Sequence, residues 1–99
     1  KGKGKRKIVA EFEGISNSFV EMYVDGNLAY SGILHKGDKK IWIGFKNLQF
    51  RIGNAGGVNI KINGKEYNFG EEGIAINKKV FWAPSDKNPE KLNLTIADW

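Results

Sequence analysis

Leu48, Phe50 and Ile52 alternate strictly with Gln49 and Arg51, and Val58, Ile60 and Ile62 alternate in the same way with Asn59 and Lys61. A period of two sends successive side chains to opposite faces of a strand, so each segment packs one face on a core and turns the other to water. Similar segments recur along the chain. IVAEF (8–12), FVEMYV (19–24), NLAYSGI (27–33) and IWI (41–43) come before these two; KEYNF (65–69), IAI (74–76), VFW (80–82) and LNLTI (92–96) come after. Val20, Met22 and Val24 share a face in one of them, and Leu28 and Tyr30 in the next.

Asp25-Gly26 and Asn63-Gly64 each separate two such segments, and both dipeptides suit type I′ turns, whose two central residues take positive φ. HKGDKK (35–40) is a polar turn centred on Gly37. No window of helical length shows a 3.6-residue apolar period free of glycine and proline. Short antiparallel strands with one apolar face must pack as two sheets or close into a barrel. The pattern predicts an all-β domain, a small antiparallel β-sandwich of about seven to nine short strands.

The septet RIGNAGG (51–57) resembles a phosphate-binding loop at first sight. Such loops work because a helix follows and aims unpaired N–H groups at the anion. Here the strand VNIKI follows, and neither the Lys-Ser/Thr pair nor the dinucleotide-binding spacing is present. The septet is read as a connection between two antiparallel strands. Gly53, Gly56 and Gly57 are expected to supply positive φ or close backbone approach, as Gly26, Gly37 and Gly64 do in the tight turns.

Composition narrows the picture further. With 99 residues, 40% of them hydrophobic and 12% aromatic, the chain suits one domain with its own core. Cysteine is absent, which removes disulfides, thiolate zinc sites and a thiol nucleophile. The net charge of +5 has a local origin, because Lys1, Lys3, Lys5, Arg6 and Lys7 supply five of the 16 basic residues and the other eleven balance 11 acidic ones. Residues 1–7 therefore read as a basic flexible linker and residues 8–99 as a neutral domain, with no nucleic-acid binding expected through the domain itself. No apolar run is long enough to span a bilayer, and the chain starts at Lys1 rather than Met. It is read as a piece of a longer protein, with any targeting or membrane segment lying in the missing part.

Catalytic chemistry finds little support. His35 is the only histidine and stands beside Lys36 in a turn, so no histidine-based metal cluster can form. Glu11 and Glu13 share the solvent face opposite Ile8, Ala10 and Phe12, and Glu71-Glu72 falls in a GEEG turn. Asp25 and Asp38 are explained by their turns. The expectation is a protein that is not an enzyme and takes no cofactor or metal. Binding is the better supported class. Trp42 lies between Ile41 and Ile43, so if those two face the core Trp42 points outward, and Phe19 and Tyr23 oppose Val20, Met22 and Val24. The candidate interaction surface is thus Phe19, Tyr23 and Trp42, with Lys39, Lys40 and Lys46 as a basic rim.

FVEMYVDGNLAYSG (19–32), GILHKGD (32–38) and FRIGNAGGVNIKINGK (50–65) together resemble the C-terminal domain family of RodZ, the bacterial cell-shape protein. The likeness lies in the Gly32-Ile33-Leu34-His35-Lys36-Gly37 turn, the Arg51-Ile52-Gly53-Asn54-Ala55 entry and the following strand and Asn-Gly turn; it spans about residues 8–82. Phe19 stands where the family pattern leads one to expect tryptophan, and residues 83–99 carry no family pattern. The resemblance implies an extracytoplasmic module of a membrane-anchored protein, downstream of a helix-turn-helix domain, a transmembrane helix and a linker. That protein would couple the MreB cytoskeleton to peptidoglycan elongation, with elongation-machinery ectodomains or peptidoglycan as partners. The alternative reading is a glycan- or peptidoglycan-binding β-sandwich that uses its outer aromatics.

Overall fold

The computed structural model describes residues 6–88 and 90–99. Its elements are β1 (Ile8–Gly14), β2 (Ser18–Val24), β3 (Asn27–Leu34), β4 (Lys39–Gly44), β5 (Asn47–Ile52), a 3₁₀ turn (Ala55–Gly57), β6 (Val58–Ile62), β7 (Lys65–Tyr67), β8 (Ile76–Pro84) and β9 (Leu92–Asp98). They build a four-stranded sheet in the order β4-β1-β6-β7 and a five-stranded sheet in the order β3-β2-β5-β8-β9. Every neighbouring pair is antiparallel. The alternation therefore delivers the two-sheet architecture it predicts. Residues 1–5 of the expected linker lie outside the described residues; Arg6 and Lys7 lead into β1, with the Arg6 guanidinium 5.7 Å from the Trp82 ring centroid. No helix among the described residues is long and apolar enough to cross a membrane.

The core forms where the two inner faces meet. Ile8, Ala10 and Phe12 of β1 and Val58, Ile60 and Ile62 of β6 pack against Val20 and Met22 of β2, Leu48, Phe50 and Ile52 of β5, and Val80 of β8. Burying a large aliphatic or aromatic side chain of this kind stabilises the fold by about 1.5–3 kcal/mol relative to exposure. Phe12 lies at the centre, its ring edge-to-face with Phe50 in the opposite sheet at 5.2 Å and with Trp42 on the neighbouring strand at 5.0 Å. Two boundaries differ from expectation. IAI and VFW are not separate strands, because β8 runs unbroken from Ile76 to Pro84; Pro84 falls at its last position, where a missing N–H disturbs no ladder. A bulge at Met22/Tyr23 inserts Ala29 into β3, so Leu28 faces out while Tyr30 faces in, rather than both sharing a face.

The tight turns take the expected backbone. Asp25 and Gly26 have φ of 51° and 90°, Asn63 and Gly64 have 50° and 84°, and Gly37 has 90°. Two of these turns also hold other strands. Asn63 accepts the Val9 N–H on its Oδ1 at 2.7 Å and donates from Nδ2 to the Lys7 carbonyl at 3.1 Å, fixing the start of β1. Asp25 Oδ1 accepts the backbone N–H groups of Phe45, Lys46 and Asn47 at 3.0, 2.6 and 3.0 Å. A side chain in the β2–β3 hairpin thereby shapes the β4–β5 connection, which crosses from one sheet to the other. Partial burial of this carboxyl raises its pKa, but the N–H groups of Lys46, Asn47 and Phe45, with the Lys46 charge, outweigh that and hold it below the usual aspartate range.

A depressed carboxyl binds its proton less readily in the folded chain than in the unfolded one, so its stabilisation is present above the ordinary aspartate pKa and is lost as pH falls through the lower folded value. Asp25→Asn keeps the left-handed turn geometry and an acceptor oxygen but removes the charge. It should lower stability at pH 7 by about 1–2 kcal/mol. Urea denaturation should show the gap between parent and variant closing as pH drops from about 5 to about 2. An undiminished gap at the acid end would separate the effect from the carboxylate.

Candidate interaction surface

The septet forms no anion site, because its backbone donors are already engaged. Gly53 N–H donates to the Phe19 carbonyl, Ala55 to Ile74, Gly56 to Glu71 and Gly57 to Asn54, while the Asn54 N–H donates to Ser18 Oγ at 2.9 Å. The loop also does not join paired strands as expected: β5 and β6 belong to different sheets, and the septet carries the chain across the sandwich. Asn54 organises the crossing. Its Oδ1 accepts the Gly73 N–H at 2.6 Å, and its Nδ2 donates to Ser16 Oγ and Glu72 Oε2, each at 3.3 Å. Three connections, around residues 15–18, 54–57 and 71–74, are tied to one amide.

Gly53, Gly56 and Gly57 all lack the positive φ considered for them. A Cβ on Gly56 would run into the backbone of Glu71 and Glu72, and one on Gly57 would come within 2.6 Å of Asn54 Nδ2 and Ser16 Oγ. Gly53 is a correction: a Cβ there would meet Phe19 Cβ at an ordinary 3.5 Å.

The carboxylates singled out for chemistry lie where their faces predict. Glu11 is opposite Ile41 and Lys61, and Glu13 opposite Lys39 and Asn59, on the outer face of the four-stranded sheet. A groove of about 600 Å³ beside β7 is lined by Asn59, Glu66, Tyr67, Glu71 and Glu72 among others. Its Glu72 carboxylate is held by Ser16 and Asn54. Among the described residues, no three His, Asp or Glu side chains converge as metal ligands would. His35 is exposed in its turn.

Trp42 is the main correction. It pairs with Ala10, an inner residue of β1, so its indole packs on the core against Phe12 and lies 5.8 Å from the Tyr30 ring. Ile41 and Ile43 are the outward residues, at 63% and 47% exposure. The physical reason is the open flank of the sandwich. β3 and β4 are edge strands of the two sheets on the same side, and only large side chains such as Trp42 and Tyr30 can close the gap between them. The basic rim disperses accordingly. Lys39 faces outward opposite Glu13, Lys40 covers the Tyr30 ring at 5.0 Å and Lys46 belongs to the β4–β5 turn.

Phe19 and Tyr23 do lie on an outer face, that of the five-stranded sheet. Phe19 is 41% exposed beside Ile33, and Tyr23 stands opposite Leu28. Their tryptophan neighbour is Trp99, 39% exposed, whose ring meets Tyr23 edge-to-face at 5.7 Å. Arg51 lies over Trp99 at 4.8 Å and reaches Glu21 at 3.9 Å, and Lys79 lies over Phe81 at 5.5 Å. This face joins exposed aromatics to alternating charges on a rigid ladder. Trp99 escaped the sequence reading because it follows the last alternating segment. The one signal was its place two residues beyond Ala97, on the parity of Asn93 and Thr95.

Residues 11–73 match the profile of the RodZ C-terminal domain. The chain belongs to the RodZ C-terminal domain family. The match runs from β1 through β7 and takes in the Asp25-Gly26 turn, the Asn54 crossing and the Asn63-Gly64 turn. No curated protein and no solved structure matches the chain. For this RodZ-family domain, the Gly-Asn-Ala signature is thus a scaffold feature built around Asn54, and β8 and β9, which bring Phe81 and Trp99, lie beyond the matched residues.

Two stability tests follow from the site geometry. Trp42→Ala should destabilise the domain by about 2–4 kcal/mol through the void left beside Phe12, read as a drop in denaturation midpoint; an unchanged midpoint would contradict its inward packing. Gly56→Ala should cost at least about 1–3 kcal/mol because backbone must move, whereas Gly53→Ala should leave the melting temperature within a few degrees of the parent. Equal effects at the two positions would contradict the close approach at Gly56.

Proposed function

We propose that this domain is a non-catalytic interaction module on the extracytoplasmic side of a membrane-anchored, RodZ-like protein. There it helps couple the MreB cytoskeleton to cell-wall elongation by capturing the ectodomain of an elongation-machinery membrane protein. Family membership supports the coarser role in cell shape. The observation that carries the binding role is the outer face of the five-stranded sheet, where Phe19 and Tyr23 of β2 and Trp99 just beyond β9 stand beside Arg51. Aromatic and arginine side chains with little freedom to lose are the usual anchors of protein interfaces. The Arg51 guanidinium, stacked on Trp99, is held in place to meet an acidic group on the partner.

Phe19→Ala and Trp99→Ala should each weaken capture of purified elongation ectodomains about tenfold or more, with the melting temperature nearly unchanged because both rings lie outside the core. Unaltered capture by both variants would remove this face from the proposal. Quenching of Trp99 fluorescence by purified peptidoglycan fragments, with no ectodomain captured, would instead favour the glycan-binding alternative.

A further inference from the structure

The sandwich has four edge strands, β3, β4, β7 and β9. Edge strands expose unpaired N–H and C=O groups, and proteins commonly guard them with charge. β4 carries Lys39 and Lys40, β7 carries Lys65 and Glu66, and β9 ends in Asp98. β3 reads NLAYSGIL and holds no charge over eight residues, in a chain where 27% of residues are charged.

The direction of its free backbone groups follows from the ladder. Phe19 accepts the Gly53 N–H and Asp25 donates to the Asn47 carbonyl, so the odd-numbered residues of β2 bond toward β5. Ser18, Val20 and Met22 then bond toward β3, opposite Leu34, Gly32 and Tyr30. Ser31 and Ile33 are left with their N–H and C=O groups on the open edge. The Ile33 carbonyl accepts the Tyr30 hydroxyl at 3.1 Å, which leaves its second lone pair and the Ser31 N–H and C=O for a further strand. The same two residues turn their side chains to the outer face, where Ile33 and Leu28 are exposed.

We infer that β3 pairs with β3 of a second copy of this chain, antiparallel about a two-fold axis at Ser31. The axis places Ser31 opposite Ser31, each exchanging N–H and C=O with the other, and Ile33 opposite Ala29 of the second copy. Leu28 of that copy then lies beside Ile33, so the exposed apolar groups of the edge cover one another. At a two-fold axis the central residue meets its own duplicate, so a charged residue in place of Ser31 would repel itself. Of the four edge strands among the described residues, β3 alone carries no charged residue. The Ala29 bulge limits pairing to the stretch around 29–33, so the interface falls below the roughly 1,600 Å² of a standard complex and the dimer is weak. The two five-stranded sheets become one continuous ten-stranded sheet, with both aromatic faces on the same side.

Sedimentation equilibrium of the 99-residue chain between about 10 µM and 1 mM should show a monomer–dimer equilibrium. Ser31→Lys and Ser31→Glu should each weaken dimerisation at least tenfold while melting like the parent, because Ser31 is exposed. An equimolar mixture of the two variants should restore the dimer, since opposite charges then meet at the axis. Three results would overturn the inference: a parent that stays monomeric at 1 mM, a Ser31→Lys variant that dimerises as the parent does, or a mixture that stays monomeric. A monomeric parent whose Ser31 and Ile33 amides shift on adding an elongation ectodomain would assign the edge to that partner instead of a second copy.

Discussion

One chain of aromatic rings runs through the sandwich, and the rest of the structure is arranged around it. Tyr67 stacks on Phe69, Phe69 meets Phe50, Phe50 meets Phe12, Phe12 meets Trp42 and Trp42 meets Tyr30. The sequence of contacts starts at the β7 flank, reaches the five-stranded sheet at Phe50, returns to the four-stranded sheet at Phe12 and Trp42, and ends on Tyr30 at the β3 flank. Edge-to-face pairs add about 0.5–1.5 kcal/mol each beyond the area they bury. Their geometric consequence matters more. A shift of one residue in β1 or β4 would turn Phe12 or Trp42 out of the row and expose a large ring, so the row specifies the register of both strands.

That row also determines what remains for the surface. With six aromatic residues committed to it, the outer face of the five-stranded sheet receives Phe19, Tyr23, Phe81 and Trp99, and the four-stranded sheet presents Glu11, Glu13, Lys39 and Lys61 in opposed pairs. The two faces consequently differ in kind. One sets opposed carboxylates and lysines beside the exposed Ile41 and Ile43; the other offers aromatic rings with Arg51 held among them.

Most of the architecture was legible because alternation is unambiguous where polar residues break it. Gln49 and Arg51 assign β5, Asn59 and Lys61 assign β6, and the Asp-Gly and Asn-Gly turns mark the hairpins. Ile41-Trp42-Ile43 gives no such mark. All three residues are apolar, so period two leaves two equal assignments, and the choice depends on Ala10 and Tyr30, which only the folded chain brings near. The same limit explains Leu28 and Tyr30, split by a bulge that no residue type announces. The septet divides the same way. Its rejection as a phosphate loop followed from the strand behind it, but its crossing between sheets depends on bonds from Asn54 to residues 16, 72 and 73.

Asn54 also separates what the matched residues hold together from what they display. A side chain that satisfies donors and acceptors in three separate connections has no substitute of the same size and bonding pattern, so the motif around it answers to folding rather than to a partner. The matched residues 11–73 therefore combine scaffold elements with the β2–β3 half of the aromatic face, Phe19, Tyr23, Leu28 and Ile33. The other half comes from β8 and the residue after β9, outside the match. Trp99 touches Tyr23 and Arg51 across that boundary. A partner seated on this face would meet residues from both sides of that boundary at once, and the Trp99–Arg51 stack is where the two are joined.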